Sequence, residues 1–140
     1  MQLVDANVLL YAVGEESPHH EQSRAWLDDA FARGATLAFT WIVLLAFMRL
    51  STSPVFPNPL SVEEAVEIAE GWLGEPVAAI IEPTSRHLAV VERLLDAAGT
   101  AGNLVNDAHL AALALEHGAE VISFDRDFGR FEGVRWRLPG

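Results

Sequence analysis

The chain contains no cysteine. Disulfides, thiolate metal sites and thiol nucleophiles are thereby excluded. It contains no lysine either, since all 9 basic residues are arginine. Long apolar runs are missing too. The longest, "TWIVLLAFM", stops at Arg49, far short of the roughly 20 residues of a membrane span. The first residues lack the basic start and cleavage site of a signal peptide. A soluble, cytoplasmic protein that does not enter the membrane is the expectation. Positive charge is scarce, with 9 basic against 20 acidic residues and a net charge of −11. Such a balance argues against unaided binding to nucleic acid, because phosphate contacts need cations. A bound divalent metal would reverse the local sign, and a basic partner would cover the acids. Four arginines, Arg126, Arg130, Arg135 and Arg137, crowd the C-terminal end and make it locally basic.

What is present suits one globular domain, residues 1–140, with 51% hydrophobic residues to build its core. Residues 2–5 read as a short buried strand. "SPHHEQSRAWLDDAFARG" reads as a helix capped by Ser17 and ended by Gly34. "ATLAF" is a second strand, and Thr40 caps the apolar helix "WIVLLAFMRL". "STSPVFPNP" is a loop. Ser61 and Glu64 have the spacing of a capping box at the head of a helix with an apolar stripe of Val62, Ala65, Val66, Ala69, Trp72 and Leu73. "VAAII" is a strand. A helix over 84–98 is expected to bury Leu88, Val91, Leu95 and Ala98, and "GTAGN" to be a flexible turn. An Ala/Leu helix, "DAHLAALALEHG", leads to the strand "EVISF" and a last edge strand, "VRWRL". Apolar strands alternating with helices imply a mostly parallel sheet of four or five strands, doubly wound, with helices on both faces. Ligands of such sheets bind beyond the carboxyl ends of the strands, at the topological switch point.

The acids fall at those ends. Asp5 sits inside the first apolar run "QLVDANVLLYAVG", where no cap or turn role is evident. Asp107 opens the Ala/Leu helix, and Asp125 and Asp127 follow the "EVISF" strand. An aspartate opening a helix is ordinarily an N-cap, and "FDRDFG" reads equally well as a turn. If the strands are adjacent, however, these carboxylates meet. Crowded carboxylates either keep protons or hold a cation. An all-oxygen site suits Mg²⁺ or Mn²⁺ and, with it, metal-assisted phosphodiester hydrolysis.

The stretches "LVDANVLLYA", "LLAFMRLST", "VFPNPLSVEEA", "GNLVNDAHLAALALEHGAEVISFDRDFGRF" and "VRW" span nearly the whole chain. In this order they resemble a PIN domain, specifically a ribonuclease toxin of the VapBC toxin–antitoxin type from the mycobacterial and actinobacterial subgroup. The resemblance implies a PIN-like doubly wound three-layer sandwich and an endoribonuclease dependent on Mg²⁺ or Mn²⁺. It places Asp5, Asp107 and Asp125 in the catalytic set and adds Asp127 to the metal ligands. It puts Ser123 where the family often has a hydroxyl near the site. It also implies a homodimer, tRNA or rRNA as substrate, and a VapB-like antitoxin that wraps the toxin and inserts an arginine toward the acids. A guanidinium forking two carboxylates would compete with the metal. One departure stands out. Where many members have a glutamate in the helix after the second strand, this chain has Ala46. Glu82 is a conceivable replacement.

Other residues have a dull reading beside a functional one. Asn7 would orient a ligand if it shares the side of Asp5, whereas Asn103 reads as a turn residue. Arg86, Arg126 and Arg130 are candidate RNA contacts, though solvent exposure alone accounts for an arginine. His109 and His117 do not make the i, i+4 metal pair. Trp41, Phe47 and Met48 are either core or a groove for a partner helix. Two other functions compete. A receiver or phosphotransfer enzyme also gathers aspartates at strand ends but typically needs a lysine, and there is none. A degenerate PIN-fold binding module without catalysis is favoured only by Ala46.

Overall fold

In the computed structural model, which describes residues 1–140, five short strands form one sheet. They are β1 (Gln2–Val4), β2 (Leu37–Phe39), β3 (Ala78–Ile80), β4 (Glu120–Ile122) and β5 (Trp136–Arg137). Their order is β3-β2-β1-β4-β5, and every neighbouring pair is parallel. The expected mostly parallel sheet is thus wholly parallel, with "VRWRL" supplying its edge. The winding reverses between β1 and β4, which opens a crevice at their carboxyl ends. Leu3 and Val4 are successive residues and point to opposite faces, yet both are 0% exposed. Both faces of the sheet are therefore covered, as the three-layer expectation requires.

Six α-helices do the covering: α1 (Ala6–Val13), α2 (His20–Ala32), α3 (Trp41–Ser51), α4 (Val62–Leu73), α5 (His87–Ala98) and α6 (Val105–His117). None is long and apolar enough to cross a membrane. α1 packs on α2 and α3, α4 on α3, and α5 on α6. The Thr40 cap forms, its Oγ1 accepting from Val43 N. So does the capping box, in which Glu64 N donates to Ser61 Oγ at 3.1 Å and Ser61 N to Glu64 Oε1 at 3.0 Å. Phe47 is fully buried against Trp72, with ring centroids 4.8 Å apart, and Met48 packs at the core's margin. Trp41 remains 51% exposed. Phe47→Ala should lower unfolding stability by about 3–5 kcal/mol, read from the urea midpoint at unchanged slope.

Several boundaries differ from expectation. β1 ends at Val4, one residue short of the expected 2–5, and α1, which the sequence does not announce, begins right after Asp5. α2 starts at His20 rather than near Ser17, whose Oγ instead accepts from His19 N in the preceding turn. "GTAGN" ends in a 3-10 turn, Gly102–Leu104, which runs straight into α6. α6 consequently starts two residues before Asp107. α5 begins at His87 and buries only Leu94 fully, leaving Leu88 80% exposed. Its seam is against α6 rather than deep on the sheet, so it needs a narrower apolar face. Val62 is likewise 59% exposed, because it sits in the first turn of α4, ahead of the buried Ala65 and Ala69.

Candidate metal centre

The centre begins at the end of β1. Asp5 N donates to Ile122 O at 3.0 Å, prolonging the pairing of β1 with β4 by one bond. The chain then turns into α1, and Asp5 serves as its N-cap, with Oδ1 accepting from Ala6 N at 2.7 Å. The cap role that the sequence does not reveal is therefore real. It uses one carboxylate oxygen. The other, Oδ2, accepts from Ser123 Oγ at 2.7 Å and Asn7 Nδ2 at 3.4 Å. Ser123 is fully buried just past the end of β4, and its Oγ also accepts from Asn7 Nδ2 and Asp125 N. Asn7 Oδ1 accepts from Phe124 N at 3.2 Å. Asn7 does share the side of Asp5, but it arrives there from the first turn of α1 and not along a longer strand. Asn7 and Ser123 thus stitch the two strand ends together across the switch point.

The other acids come from α6 and from the turn after β4. Asp107 lies in the first turn of α6 and is not its cap. A carboxylate there faces the positive end of the helix. Asp125 Oδ1 accepts from Asp127 N at 2.9 Å, capping a 3-10 turn over Arg126–Arg130. The turn reading of "FDRDFG" is correct and does not displace the other one. Asp107, Asp125 and Asp127 each offer an oxygen, and these atoms lie within 4.8 Å of one another. Asp5 stands outside that trio but lines a cavity of about 520 Å³ together with Asp107.

This crowding shows in the acidities. Burial raises the Asp5 carboxyl above its ordinary value against the pull of the Ser123 and Ala6 hydrogen bonds, and the Asp125 charge adds to the rise. Asp107 is pushed up to about 7, first by burial, then by the charge and hydrogen bond of Asp125 and the charges of Asp5 and Asp127. Near neutral pH the cluster thus keeps a proton that a cation would displace. Its donors are oxygens alone, without nitrogen or sulfur, the set that suits a hard divalent ion completed by water. The residues present fit such an ion.

Ala46 lines the same cavity as Asp5 and Asp107. Glu82 does not replace the missing carboxylate. Its carbonyl accepts from His117 Nε2 at 2.7 Å, and His117 lies about 15 Å along α6 from Asp107. Arg126 and Arg130 are exposed on the acidic turn, with Arg130 Nη1 3.8 Å from Asp127 Oδ1. Arg135 and Arg137 are engaged elsewhere, by Gly118 O and Glu120 Oε1. Arg86 precedes α5 beside Thr84 and does not line the cavity. Two polar lining residues, Asn106 and Arg49, are not singled out by the sequence. Adjacency to Asp107 marks the first, and the i+3 spacing from Ala46 marks the second.

A second polar chain ties α5 to α6. His87 Nδ1 bonds Glu116 Oε2 at 2.5 Å and His87 Nε2 bonds His109 Nδ1 at 2.8 Å. Thr84 donates to Glu116 through both its hydroxyl and its backbone N. Burial works to raise the Glu116 carboxyl, but the Thr84 and His87 hydrogen bonds outweigh it and hold the group below its ordinary value.

A doubly wound parallel sheet with acids at its switch point is the architecture of a PIN domain, and the PIN domain family model matches residues 3–134. The chain belongs to the PIN domain family. Over 140 residues it is 53% identical to Ribonuclease VapC37 of Mycobacterium tuberculosis (strain ATCC 25618 / H37Rv), covering 99% of this chain and 97% of that protein. It is 36% identical to Ribonuclease VapC33 of the same strain over 140 residues, at 99% and 98% coverage. Among solved structures, VapBC2 from Rickettsia felis bound to a promoter DNA fragment matches with a TM-score of 0.71 and 19% identity. That match covers 98% of this chain and 97% of the other.

Proposed function

We propose that this chain is the toxin of a type II toxin–antitoxin system, an endoribonuclease that hydrolyses RNA phosphodiester bonds at the acidic cluster. The observation that carries the reading is the meeting of Asp107, Asp125 and Asp127 within 4.8 Å, beside a hydrogen-bonded Asp5, in a chain whose full-length relatives are named ribonucleases. The whole chain, residues 1–140, acts as one catalytic domain in the cytoplasm. Asp107, Asp125 and Asp127 would hold Mg²⁺ or Mn²⁺, with Asp5 closing the set. The ion, when bound, polarises the phosphodiester and lowers the pKa of water.

The remaining work falls to the chain itself. Ser123 and Asn7 fix the Asp5 carboxylate and keep β1 against β4, so the acids do not drift apart when their charges change. Asp127 is held by Asp125 through its own backbone N. Arg126 and Arg130, on the rim, contact phosphates on either side of the scissile bond, where arginine forks onto phosphate oxygens. They offset locally the net charge of −11 that would otherwise repel RNA. tRNA or rRNA is the substrate class, a cognate VapB-like antitoxin is the inhibitor, and the toxin works as a homodimer. A PIN-fold binding module without catalysis is not favoured, because the carboxylate trio is complete without an acid at position 46.

The test is to induce the wild type and Asp5→Asn in cells and sequence RNA 5′ ends. New ends are expected with the wild type alone, and co-expressing the small protein encoded next to it should restore growth. Identical 5′ ends from both proteins would overturn the reading.

A further inference from the structure

Three aromatic rings sit together one helical turn from the acidic centre. Tyr11 lies four residues after Asn7 and therefore on the same face of α1, about 6 Å further along. Phe124 falls between Ser123 and Asp125, and its backbone N is the one that bonds Asn7. His19 completes the group. Its ring lies 4.5 Å from that of Phe124 at an interplanar angle of 33°, and 5.2 Å from that of Tyr11. Tyr11 meets Phe124 edge-on at 5.2 Å. The group is not core: His19 is exposed, and Tyr11 and Phe124 are half-buried. His19 stands at the N-cap position of α2 but makes no side-chain cap bond, so capping does not account for its ring. The ring is exposed and packs at a tilt against both of the other rings.

We propose that Tyr11, His19 and Phe124 form a stacking platform for an unpaired nucleobase of the RNA substrate, one nucleotide from the scissile bond. The inference rests on the ribonuclease reading and assigns that site a substrate feature, a base free to splay out of a helix. Single-stranded segments are recognised by stacking on aromatic rings, including histidine, and such stacking is sequence-tolerant. The site needs it. With 9 arginines against 20 acids, the phosphate contacts of Arg126 and Arg130 work against the overall charge, whereas a ring stack is indifferent to it. The spacing also fits, since about one turn of α1 separates the platform from Asn7, which holds Asp5, and this is the scale of a single nucleotide step. Phe124 and Asp125 are consecutive, so a base on the platform fixes the position of the neighbouring phosphate relative to the carboxylates.

The probe is a ten-nucleotide single-stranded RNA carrying 2-aminopurine at one position, scanned along the strand, in buffer containing Ca²⁺. At one position the wild type should quench the fluorescence strongly. His19→Ala should remove that quenching and weaken binding by about five- to fifty-fold. The residue is exposed, so its removal does not disturb the core, and Phe124→Leu should act in the same direction. An abasic site at that position should make wild type and His19→Ala bind alike. In Mn²⁺, the variant's KM for cleavage should rise while kcat stays within about twofold, the pattern of lost uniform binding. If the wild type cleaves RNA but neither His19→Ala nor the abasic strand alters binding, the platform is overturned and the nuclease reading stands. If the wild type binds no strand, the platform is overturned, and the nuclease reading is decided by the RNA 5′ ends in cells.

Discussion

Replacing Asp107 with asparagine should abolish RNA cleavage by at least about a thousandfold, while making the metal-free protein harder to unfold above neutral pH. Both halves follow from one cause. The folded protein holds the Asp107 proton up to about pH 7 against an ordinary value of 3.8. Between those values the folded state binds more protons than the unfolded one, so stability falls as pH rises through the window and stays low above it. Asparagine carries no charge to repel Asp125 and has no proton to lose. In EDTA at pH 8 the variant should therefore melt about 3–6 °C above the wild type, a modest figure because Asp107 is only half-buried and water screens its neighbours. Near pH 4 the two should melt alike. Excess Mn²⁺ should reverse the order at pH 8, because an ion at a hundredfold its dissociation constant adds about 2.7 kcal/mol to the state that binds it. Thermal melts of both proteins at the two pH values, with and without Mn²⁺, decide the matter. A variant less stable than the wild type in EDTA at pH 8 would show that Asp107 is not under electrostatic strain.

Ala46→Glu should lower the Mn²⁺ concentration needed for half-maximal cleavage by about tenfold, since charge count tunes the affinity of oxygen sites. Ala46, on α3, lines the cavity that Asp5 and Asp107 share. A carboxylate there adds a ligand when the ion is present and another repulsion when it is absent. The same variant should therefore melt several degrees below the wild type in EDTA at pH 8. Activity measured against Mn²⁺ concentration checks the first effect and calorimetry the second. An unchanged metal requirement would mean that position 46 does not look onto the ion.

The residues of this centre were legible in the sequence to the extent that they sit at element ends. Asp5, Asp107 and Asp125 interrupt or border apolar runs, so their types and positions announce themselves. What they do locally was harder to see. Asp5 caps a helix that the apolar run around it conceals, because strand and buried helix look alike over so short a span. Ser123 and Asn7 each read singly as a polar residue near the site, but their bonds across more than a hundred residues exist only once β1 lies beside β4. Arg49 and Asn106 face the cavity through the rotation of α3 and α6, which periodicity alone does not set. The aromatic trio was illegible for a similar reason: Tyr11, His19 and Phe124 belong to three elements that meet at one corner. Leu88 and Val62 were misjudged because an apolar residue in a first helical turn counts toward the stripe but overhangs the layer it should pack on.

The hydrogen bond from Ser123 to Asp5 spans 118 positions of the chain. In a nascent polypeptide the partner that orients Asp5 is missing until the segment carrying Ser123 has left the ribosome. The centre therefore cannot assemble from the first strand and helix alone, and closes only when β4 docks beside β1.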